Sequence, residues 1–380
     1  MQRPRVKNVF PPLPQGNGVI RVGGYDYGLA AEIYDDEQGH VWRLLGLLDG
    51  TRTMPELAAA MQQFDPAVTP ADVTDALEAL IEAGYIEDDA LEPPAVFSTP
   101  EVERYRRNFD FFSYFHQPPL TKYDFQIRLK NARVTVLGVG GLGSYVALSL
   151  AAAGVGHLRI VDHDVVEASN LNRQVLYTDR DLGVAKVDAA RRRLTEVNPH
   201  VAVEAWNEKI SSVEDARRAV SGQDLLICAA DRPRVRIYDW INEAALLEHT
   251  PWIRGANDGL TVNSFFHVPG KTACFECVQT WSREKHAWFD EVLCYVQEQI
   301  GDRTVNPCTS PVAGLIGHLT ALEALKFLTG IAEPAFYGRK LTFNLQTLET
   351  LFGPVVERHP RCRQCGQGAR EQEAAASCQA

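Results

Sequence analysis

The chain has 380 residues, 45% of them apolar, and a formal net charge of −11. This length allows two or three domains, and the apolar content is ordinary for a soluble globular protein. The acidic balance argues against nucleic acid as a partner, because phosphates demand a basic face. The longest run of small apolar residues, 147–156, is too short and too rich in Ala and Gly to span a bilayer, so no membrane segment is expected.

Residues 1–15 are expected to be an N-terminal tail, and they lack the apolar core of a secretory signal. We therefore expect a cytoplasmic protein whose cysteines stay reduced. Residues 16–91 are expected to form a small domain. Its predicted elements are strands at 19–23 and 30–34, followed by three helices that begin near Val41, Thr53 and Thr69. The pattern indicates a small sheet with three helices.

Residues 92–100 are expected to be a linker, because the prolines of LEPPAVFSTP disfavour regular structure. The main domain is placed at residues 101–366, beginning with helical arms. A small, polar and disordered tail is expected at 367–380.

The main domain opens with an apolar strand, 134–137, that runs into a glycine-rich turn and a helix rich in Ala and Leu. The glycines are Gly138, Gly140, Gly141 and Gly143. A second strand, 157–161, ends at Asp162, which completes a βαβ unit of the dinucleotide-binding type. ATP and NAD both fit this pattern, since each offers phosphates to the turn and a ribose to the carboxylate.

Charged residues downstream of the glycine turn favour ATP. Arg173 and Lys186 are two cations expected beside the carboxyl ends of the strands, and Asp231 follows another strand-like run. Phosphoryl transfer uses cations to neutralise the polyphosphate and a carboxylate to hold Mg²⁺, whereas a nicotinamide enzyme needs neither. The alternative is that all three are solvated surface charges.

Two Cys-x-x-Cys pairs, Cys274 with Cys277 and Cys362 with Cys365, flank an apolar helix pattern at 311–328. Their spacing is typical of a four-thiolate Zn²⁺ site that ties a loop to the end of the fold. Disulfides or idle thiols are the alternative, which a reducing compartment disfavours. Such a closed site is structural, so the chemistry is expected elsewhere.

Seven segments in this order resemble the E1-like family of carboxylate-adenylating enzymes, which includes the ThiF and MoeB activators of sulfur-carrier proteins and the microcin C7 adenylating enzyme. The segments are GVGGLGS, VDHDVVEASNLNRQ, DLGVAK, AADRPRVR, CFEC, SPVAGLIGHLTALEALKFL and CRQCG. The resemblance covers about residues 104–366. It implies an α/β, doubly wound Rossmann-like adenylation domain and a homodimer in which each subunit binds Mg-ATP.

The resemblance also implies roles for individual residues. Asp162 would bind the ribose, Arg173 and Lys186 the phosphates, and Asp231 the Mg²⁺. Arg107, from the RYRR stretch, would reach the phosphates of the partner subunit. The nucleotide site would be completed by Asp164, Asn170 and Gln174.

Cys308 precedes the predicted helix at 311, where a helix dipole could lower its pKa. In sulfur-carrier activators a cysteine at a similar place can accept the acyl group, so Cys308 is a candidate nucleophile. The alternative is a partly buried small apolar residue. Cys228 is expected to lie in the core, Cys294 in a mobile crossover segment, and Cys378 in the tail.

The small domain resembles the PqqD-like peptide-recognition element of ribosomal-peptide biosynthesis, through VWRLLGLLDGTRTMPELAAAM and ALIEAGYIEDD. The resemblance implies a winged-helix-like sheet whose edge strand accepts a leader peptide. A DNA-binding winged helix is disfavoured, because residues 1–90 hold six Lys or Arg against fifteen Asp or Glu. A dimerisation arm is the other alternative.

Together these features predict ATP-dependent adenylation of a carboxylate on a ribosomally made precursor peptide held by its leader. One alternative is adenylation of the C-terminus of a ubiquitin-like sulfur carrier, which Cys308 favours. Another is a non-catalytic scaffold that presents a peptide to a partner cyclase, which the retained phosphate ligands disfavour.

Overall fold

The computed structural model describes residues 1–23, 31–234, 236–296, 298 and 307–366. The chain divides into two compact units, Met1–Ile127 and Arg128–Ala380. The predicted tail at 367–380, including Cys378, lies outside the described residues. Residues 24–30, which comprise the stretch between the strands predicted at 19–23 and 30–34 and the first residue of the second, also lie outside them.

The first unit is a small α+β fold. Its strands are β1 (Pro4–Val6), β2 (Pro12–Gly16), β3 (Val19–Val22), β4 (Ala31–Tyr34) and β5 (Ile86–Asp88), and its first helices are α1 (His40–Leu47), α2 (Met54–Phe64) and α3 (Pro70–Glu82). Strands β2, β3 and β4 form an antiparallel sheet in that order, and β1 pairs antiparallel with β5. The predicted sheet with three helices is therefore present.

Local sequence signals set the helix starts. Thr53 and Glu56 form the predicted capping box, in which the Thr53 amide donates to a Glu56 carboxylate oxygen at 2.8 Å. Thr69 and Asp72 do the same for α3. Both helices direct apolar side chains into a common core with α1.

Residues 1–15 are not a tail, which corrects the prediction from sequence. They carry β1 and most of β2, and the Lys7 side chain is buried with its ammonium donating to the carbonyls of Ser113 and His116 at 3.0 and 2.8 Å. Short strands that contain proline give no periodic signal, and β1 finds its partner about eighty residues later in the chain.

Three helices follow, α4 (Thr99–Arg104), α5 (Arg106–Phe112) and α6 (Lys122–Asn131). Residues 91–98 form neither helix nor strand, as the prolines predict, but α4 begins inside the predicted linker, because Ser98 and Glu101 cap it. Helices α4 and α5 group with the first unit. This differs from the sequence-based prediction, which assigns both helices to the main domain.

The second unit is built on a mixed sheet, which confirms the predicted α/β class. The strands are β6 (Arg133–Leu137), β7 (His157–Val161), β8 (Ala202–Trp206), β9 (Leu225–Cys228), β10 (Trp252–Asp258), β11 (Thr261–His267), β12 (Leu341–Asn344) and β13 (Thr350–Phe352). Their order is β13-β12-β11-β10-β9-β6-β7-β8. The last five in that order are parallel to one another, and β11, β12 and β13 continue antiparallel.

The helices of this unit are α7 (Gly141–Ala153), α8 (Lys186–Val197), α9 (Val213–Val220), α10 (Arg236–Leu247), α11 (Phe275–Lys285), α12 (Phe289–Tyr295) and α13 (Ser310–Thr329). In the described residues, α13 alone is long and apolar enough to cross a bilayer, and half of it is buried in protein. It packs on α7 so closely that a Cβ at Gly317 would lie 2.6 Å from Tyr145 Cβ. Core packing therefore accounts for its apolar character.

Strand register positions the site. Leu137 at the end of β6 pairs with Val161 of β7 on one side and Cys228 of β9 on the other. The chain segments that leave these three strands therefore emerge together at one edge. Because β6 connects to β7 on one side and lies against β9 on the other, this edge is a topological switch point, where α/β sheets bind ligands.

Candidate nucleotide site and metal centre

The turn after β6 requires glycine at two positions. Gly138 has a φ of +85°, and a Cβ there would lie 2.9 Å from the Ala230 amide nitrogen. A Cβ at Gly143 would lie 1.8 Å from the Gly138 carbonyl oxygen. The backbone is thus packed against itself below the N-terminus of α7, which leaves the first amides of that helix to face a phosphate.

A tyrosine that the sequence reasoning missed supports this turn. The Tyr177 hydroxyl is buried and donates to the Val139 carbonyl at 2.8 Å, and burial raises the pKa of Tyr177. The sequence around Tyr177 gives little indication of this role, since it shows only an aromatic residue three positions after Gln174.

Asp162 holds the turn from the end of β7. Its two carboxylate oxygens accept the amides of Val139 and Asp164, each at 2.9 Å. Each oxygen has a further lone pair, so the group can still accept a ribose hydroxyl. The structure therefore brings the predicted Asp162 to the glycine turn.

Lys186 is a nearly enclosed cation at the start of α8, with 7% of its side chain exposed. Its ammonium pairs with Asp164 at 2.8 Å. Partial burial alone would raise the pKa of Asp164. The hydrogen bond from Lys186 and the charges of Lys186, His163 and Arg232 outweigh this effect, and the pKa of Asp164 is lowered. An incoming phosphate would have to draw Lys186 away from this carboxylate.

The segment at 170–174 lies on the other side of the turn. The Arg173 side chain passes over Gly141, 3.5 Å from where a Cβ would be, and donates to the Ser169 carbonyl at 2.9 Å. Gln174 is buried, and its Oε1 has no hydrogen-bond partner in the described part of the chain. Asn170 is also buried and accepts the Glu167 amide at 3.1 Å, so part of its role is to shape this loop.

The remaining predicted residues are less enclosed. Asp231 is exposed just beyond β9, next to Ala230, whose amide abuts Gly138. Asp162, His163 and Asp164 have ligand atoms within 4.8 Å of one another, and Asp231 is not one of that group. Arg107 belongs to the first unit, is 84% exposed and pairs with Asp110 at 3.1 Å. Its role across a subunit boundary stays a prediction.

Cys308 lies just before α13 and is half-buried. Burial raises its pKa, and the charge of Arg173, the Ala313 amide and Asn257 offset this only in part. The expectation of a lowered pKa is therefore wrong in sign, because desolvation of the thiolate exceeds the helix effect. Cys228 is fully buried, as predicted, and its pKa is raised to about 12 by burial. Cys294 is exposed on α12.

The four cysteines of the two pairs converge. The Sγ atoms of Cys274 and Cys362 are 3.6 Å apart, those of Cys277 and Cys365 are 3.3 Å apart, and all four lie within 4.8 Å of one another. Tetrahedral zinc with Zn–S bonds of about 2.3 Å places sulfurs about 3.8 Å apart. The His359 amide donates to Cys277 Sγ at 3.3 Å, as outer-shell donors to thiolates do. This arrangement is consistent with zinc.

Comparison with known proteins gives the family. A model of the ThiF family matches residues 115–364. The molybdopterin-synthase adenylyltransferase of Escherichia coli is 30% identical over 275 residues, which are 72% of this chain and 100% of that protein. The sulfur carrier protein adenylyltransferase of Thermus thermophilus is 34% identical over 279 residues, 72% of this chain and 94% of that protein.

Among solved structures, E. coli MccB with ATP has a similar fold, with a TM-score of 0.76 at 22% identity, covering 96% of this chain and 100% of MccB. The ThiF match includes the glycine turn, the charged loops and three of the four cysteines, Cys274, Cys277 and Cys362, and each of the two adenylyltransferase relatives aligns with 72% of the chain. The chain therefore belongs to the ThiF family and is an E1-like adenylyltransferase.

Proposed function

We propose that the protein uses ATP to adenylate a carboxylate on a ribosomally synthesised precursor peptide, which it holds through the leader. The proposal that the protein binds ATP rests on one observation. The glycine turn, the enclosed Lys186 and the carboxylate of Asp162 lie together at the carboxyl ends of the parallel strands. The E. coli protein MccB, whose fold is similar, has been solved with ATP.

In this proposal the residues keep the roles implied by the resemblance. The amides at the start of α7 and the cations Arg173 and Lys186 bind the phosphates, and Asp162 binds the ribose. Asp231 would hold Mg²⁺, which neutralises polyphosphate charge when ATP is bound. Asp164, which now pairs with Lys186, would release that cation to the nucleotide.

The reaction needs no protein nucleophile. A carboxylate oxygen of the peptide attacks the α-phosphorus, the bond between that phosphorus and the bridging oxygen breaks, and pyrophosphate leaves with both electrons. The product is an acyl-adenylate. Positioning and charge neutralisation by the chain supply the acceleration, as in other phosphoryl and nucleotidyl transfers.

Peptide binding is assigned to residues 16–91 because β4 is an edge of the small sheet, and its side chains alternate between half-buried and exposed positions. An extended leader can add to such an edge through backbone hydrogen bonds. Tyr34 on this strand is 74% exposed, which offers an apolar surface to a leader side chain.

The relatives differ in how much of this chain they match. All of the E. coli molybdopterin-synthase adenylyltransferase is covered by 72% of this chain, so the remainder has no counterpart there. The likeness to MccB extends over 96% of the chain, and a solved structure of that Microcin C7 biosynthetic enzyme contains N-formylated MccA. This contrast favours a peptide substrate.

The second candidate function is C-terminal adenylation of a ubiquitin-like sulfur carrier. The name of the Thermus relative and the position of Cys308 near Arg173 favour it. The raised pKa of Cys308 weighs against a thiolate that is ready to react before the nucleotide binds. The homodimer, with Arg107 acting on the partner subunit's nucleotide, is part of the proposal in either case.

ATP–pyrophosphate exchange tests the proposal. A precursor peptide with its leader is expected to support exchange, and the same peptide without its leader to support much less. Lys186→Ala and Asp231→Ala should lower exchange with either peptide by about 10²-fold or more. Exchange that ignores the leader would remove the peptide-recognition part, and exchange only with a sulfur carrier would favour the alternative.

A further inference from the structure

Arg254 carries a positive charge, and none of the described carboxylates lies within ion-pair distance of it. It lies on β10, in register with Cys228 of β9, and its guanidinium sits over the Tyr238 ring, 4.4 Å from the ring centroid. Its Nε is enclosed by protein and has no hydrogen-bond partner there. Asp258, on the same strand, forms no ion pair with Arg254: its Oδ2 accepts the Asn263 amide group at 2.6 Å, and its charge acts on Arg254 only from a longer distance.

A guanidinium whose Nε is enclosed and that has no carboxylate at ion-pair distance is an uncommon arrangement, because desolvation of a charge costs free energy. In the described structure the compensation comes from the Tyr238 side chain and, at longer range, from the charge of Asp258. A chain keeps such an arrangement most readily where a ligand supplies the missing negative charge. Arg234, six residues beyond the end of β9, repeats the feature, since its Nε is also enclosed without a partner among the described atoms.

The position of Arg254 separates it from the nucleotide. The sheet order is β10-β9-β6-β7, with the glycine turn after β6 and Asp162 after β7. Neighbouring strands are about 4.8 Å apart, which puts Arg254 about 10 Å from the strand of the glycine turn and on the side away from Asp162. Lys186 and Arg173 already face the turn. An anion that pairs with Arg254 would therefore have to belong to a group other than the nucleotide phosphates.

We propose that Arg254 binds a second carboxylate of the acceptor peptide, close in the peptide to the carboxylate that is adenylated, and thereby selects acidic acceptors. This inference rests on the proposed function and names the substrate class. The planar fork of an arginine suits a carboxylate, because it can donate two parallel hydrogen bonds. Arg254 touches the substrate but not the reacting atoms, so it is a specificity-determining residue.

The test uses matched synthetic peptides at millimolar concentration. One set consists of N-acetylated glycine hexapeptides with a free C-terminus and either Asp or Asn one, two or three residues before it. A second set has an amidated C-terminus and carries either two Asp residues or one Asp and one Asn. Binding is measured by isothermal titration with a non-hydrolysable ATP analogue present, and ATP–pyrophosphate exchange is measured separately.

In the wild-type protein, the best Asp peptide is expected to bind about 10- to 100-fold more tightly than its Asn counterpart, since a hydrogen-bonded charge pair is at stake. Arg254→Gln should bring the two affinities within about two-fold and leave the KM for ATP unchanged. Arg193→Gln, at an exposed helix position paired with Glu196, is the control and should discriminate like wild type. Arg254→Lys keeps the charge, should fold, and should discriminate to an intermediate degree.

Three results would overturn the inference: equal binding of Asp and Asn peptides by the wild type, full discrimination retained in both Arg254 variants, or a rise in the KM for ATP that matches the loss in peptide binding. The last would assign Arg254 to a phosphate. Discrimination in binding without any exchange would instead contradict the proposed function alone, and exchange without discrimination would contradict only this inference.

Discussion

Gly143→Ala tests the packing of the glycine turn with the least chemical change. The new Cβ would lie 1.8 Å from the Gly138 carbonyl oxygen, about half the 3.5 Å at which non-bonded heavy atoms make contact. The obstacle is backbone, so no side-chain rotation relieves it. Overpacking of this kind costs about 3 kcal/mol, and the helix propensity of Ala over Gly returns about 1 kcal/mol. A net loss of about 2 kcal/mol should lower the Tm of the second unit by about 4–8 °C.

Gly141→Ala is the matched control in the same turn of α7. A Cβ there would meet Ala313 at 3.4 Å and Arg173 at 3.5 Å, which are ordinary contacts. Its Tm should equal that of the wild type or exceed it slightly. Scanning calorimetry of the three proteins gives the comparison. Equal Tm values for Gly143→Ala and the wild type, or an equal loss in Gly141→Ala, would refute the close approach described at this turn.

Three further predictions concern charge, metal and pH. Lys186→Met should lower ATP–pyrophosphate exchange about 10²- to 10³-fold. The Tm should change little, because Asp164, the ion-pair partner of Lys186, is 54% exposed and can be solvated. A Tm loss as large as that of Gly143→Ala would mean that Lys186 has a mainly structural role. Cys365→Ser should reduce bound zinc well below one per chain, as measured by mass spectrometry. It should also lower the Tm, because the metal joins segments that are 88 residues apart. Full zinc content in this variant would contradict the four-thiolate site. His40 lies between Asp36 at 2.6 Å and Asp65 at 3.0 Å, and the hydrogen bond to Asp36, reinforced by Asp65, raises its pKa above 6.5. The stability it contributes is therefore full below about pH 6.5 and is lost as the pH rises through the higher folded pKa, so His40→Gln should destabilise the first unit more at pH 5.5 than at pH 8.5 in urea titrations. An equal effect at both pH values would contradict the charge-based account.

Much of the second unit can be predicted from sequence because its signals are local. The strand ending at Leu137, the glycines after it and Asp162 at the end of β7 occupy one short segment, and the parallel pairing of β6 with β7 follows from that βαβ unit. The four cysteines are also predictable, since tetrahedral coordination fixes how two pairs must meet.

What sequence does not reveal depends on contacts between distant residues. β1 is a strand only because β5 lies beside it, and Lys7 is buried only because the carbonyls of Ser113 and His116 receive its ammonium. The raised pKa of Cys308 depends on how far the surrounding chain excludes water, which no local pattern encodes. The environment of Arg254 cannot be predicted from sequence either, because only the folded structure shows that its Nε has no hydrogen-bond partner.

Transfer of an isotopic label tests the central claim most directly. A precursor peptide whose candidate carboxylates carry ¹⁸O is incubated with the protein and Mg-ATP, and the AMP formed is analysed by mass spectrometry. Attack of the carboxylate on the α-phosphorus, followed by capture of the acyl group, predicts AMP with one ¹⁸O atom together with unlabelled pyrophosphate. Unlabelled AMP, or ADP as the nucleotide product, would contradict acyl-adenylate formation by this protein.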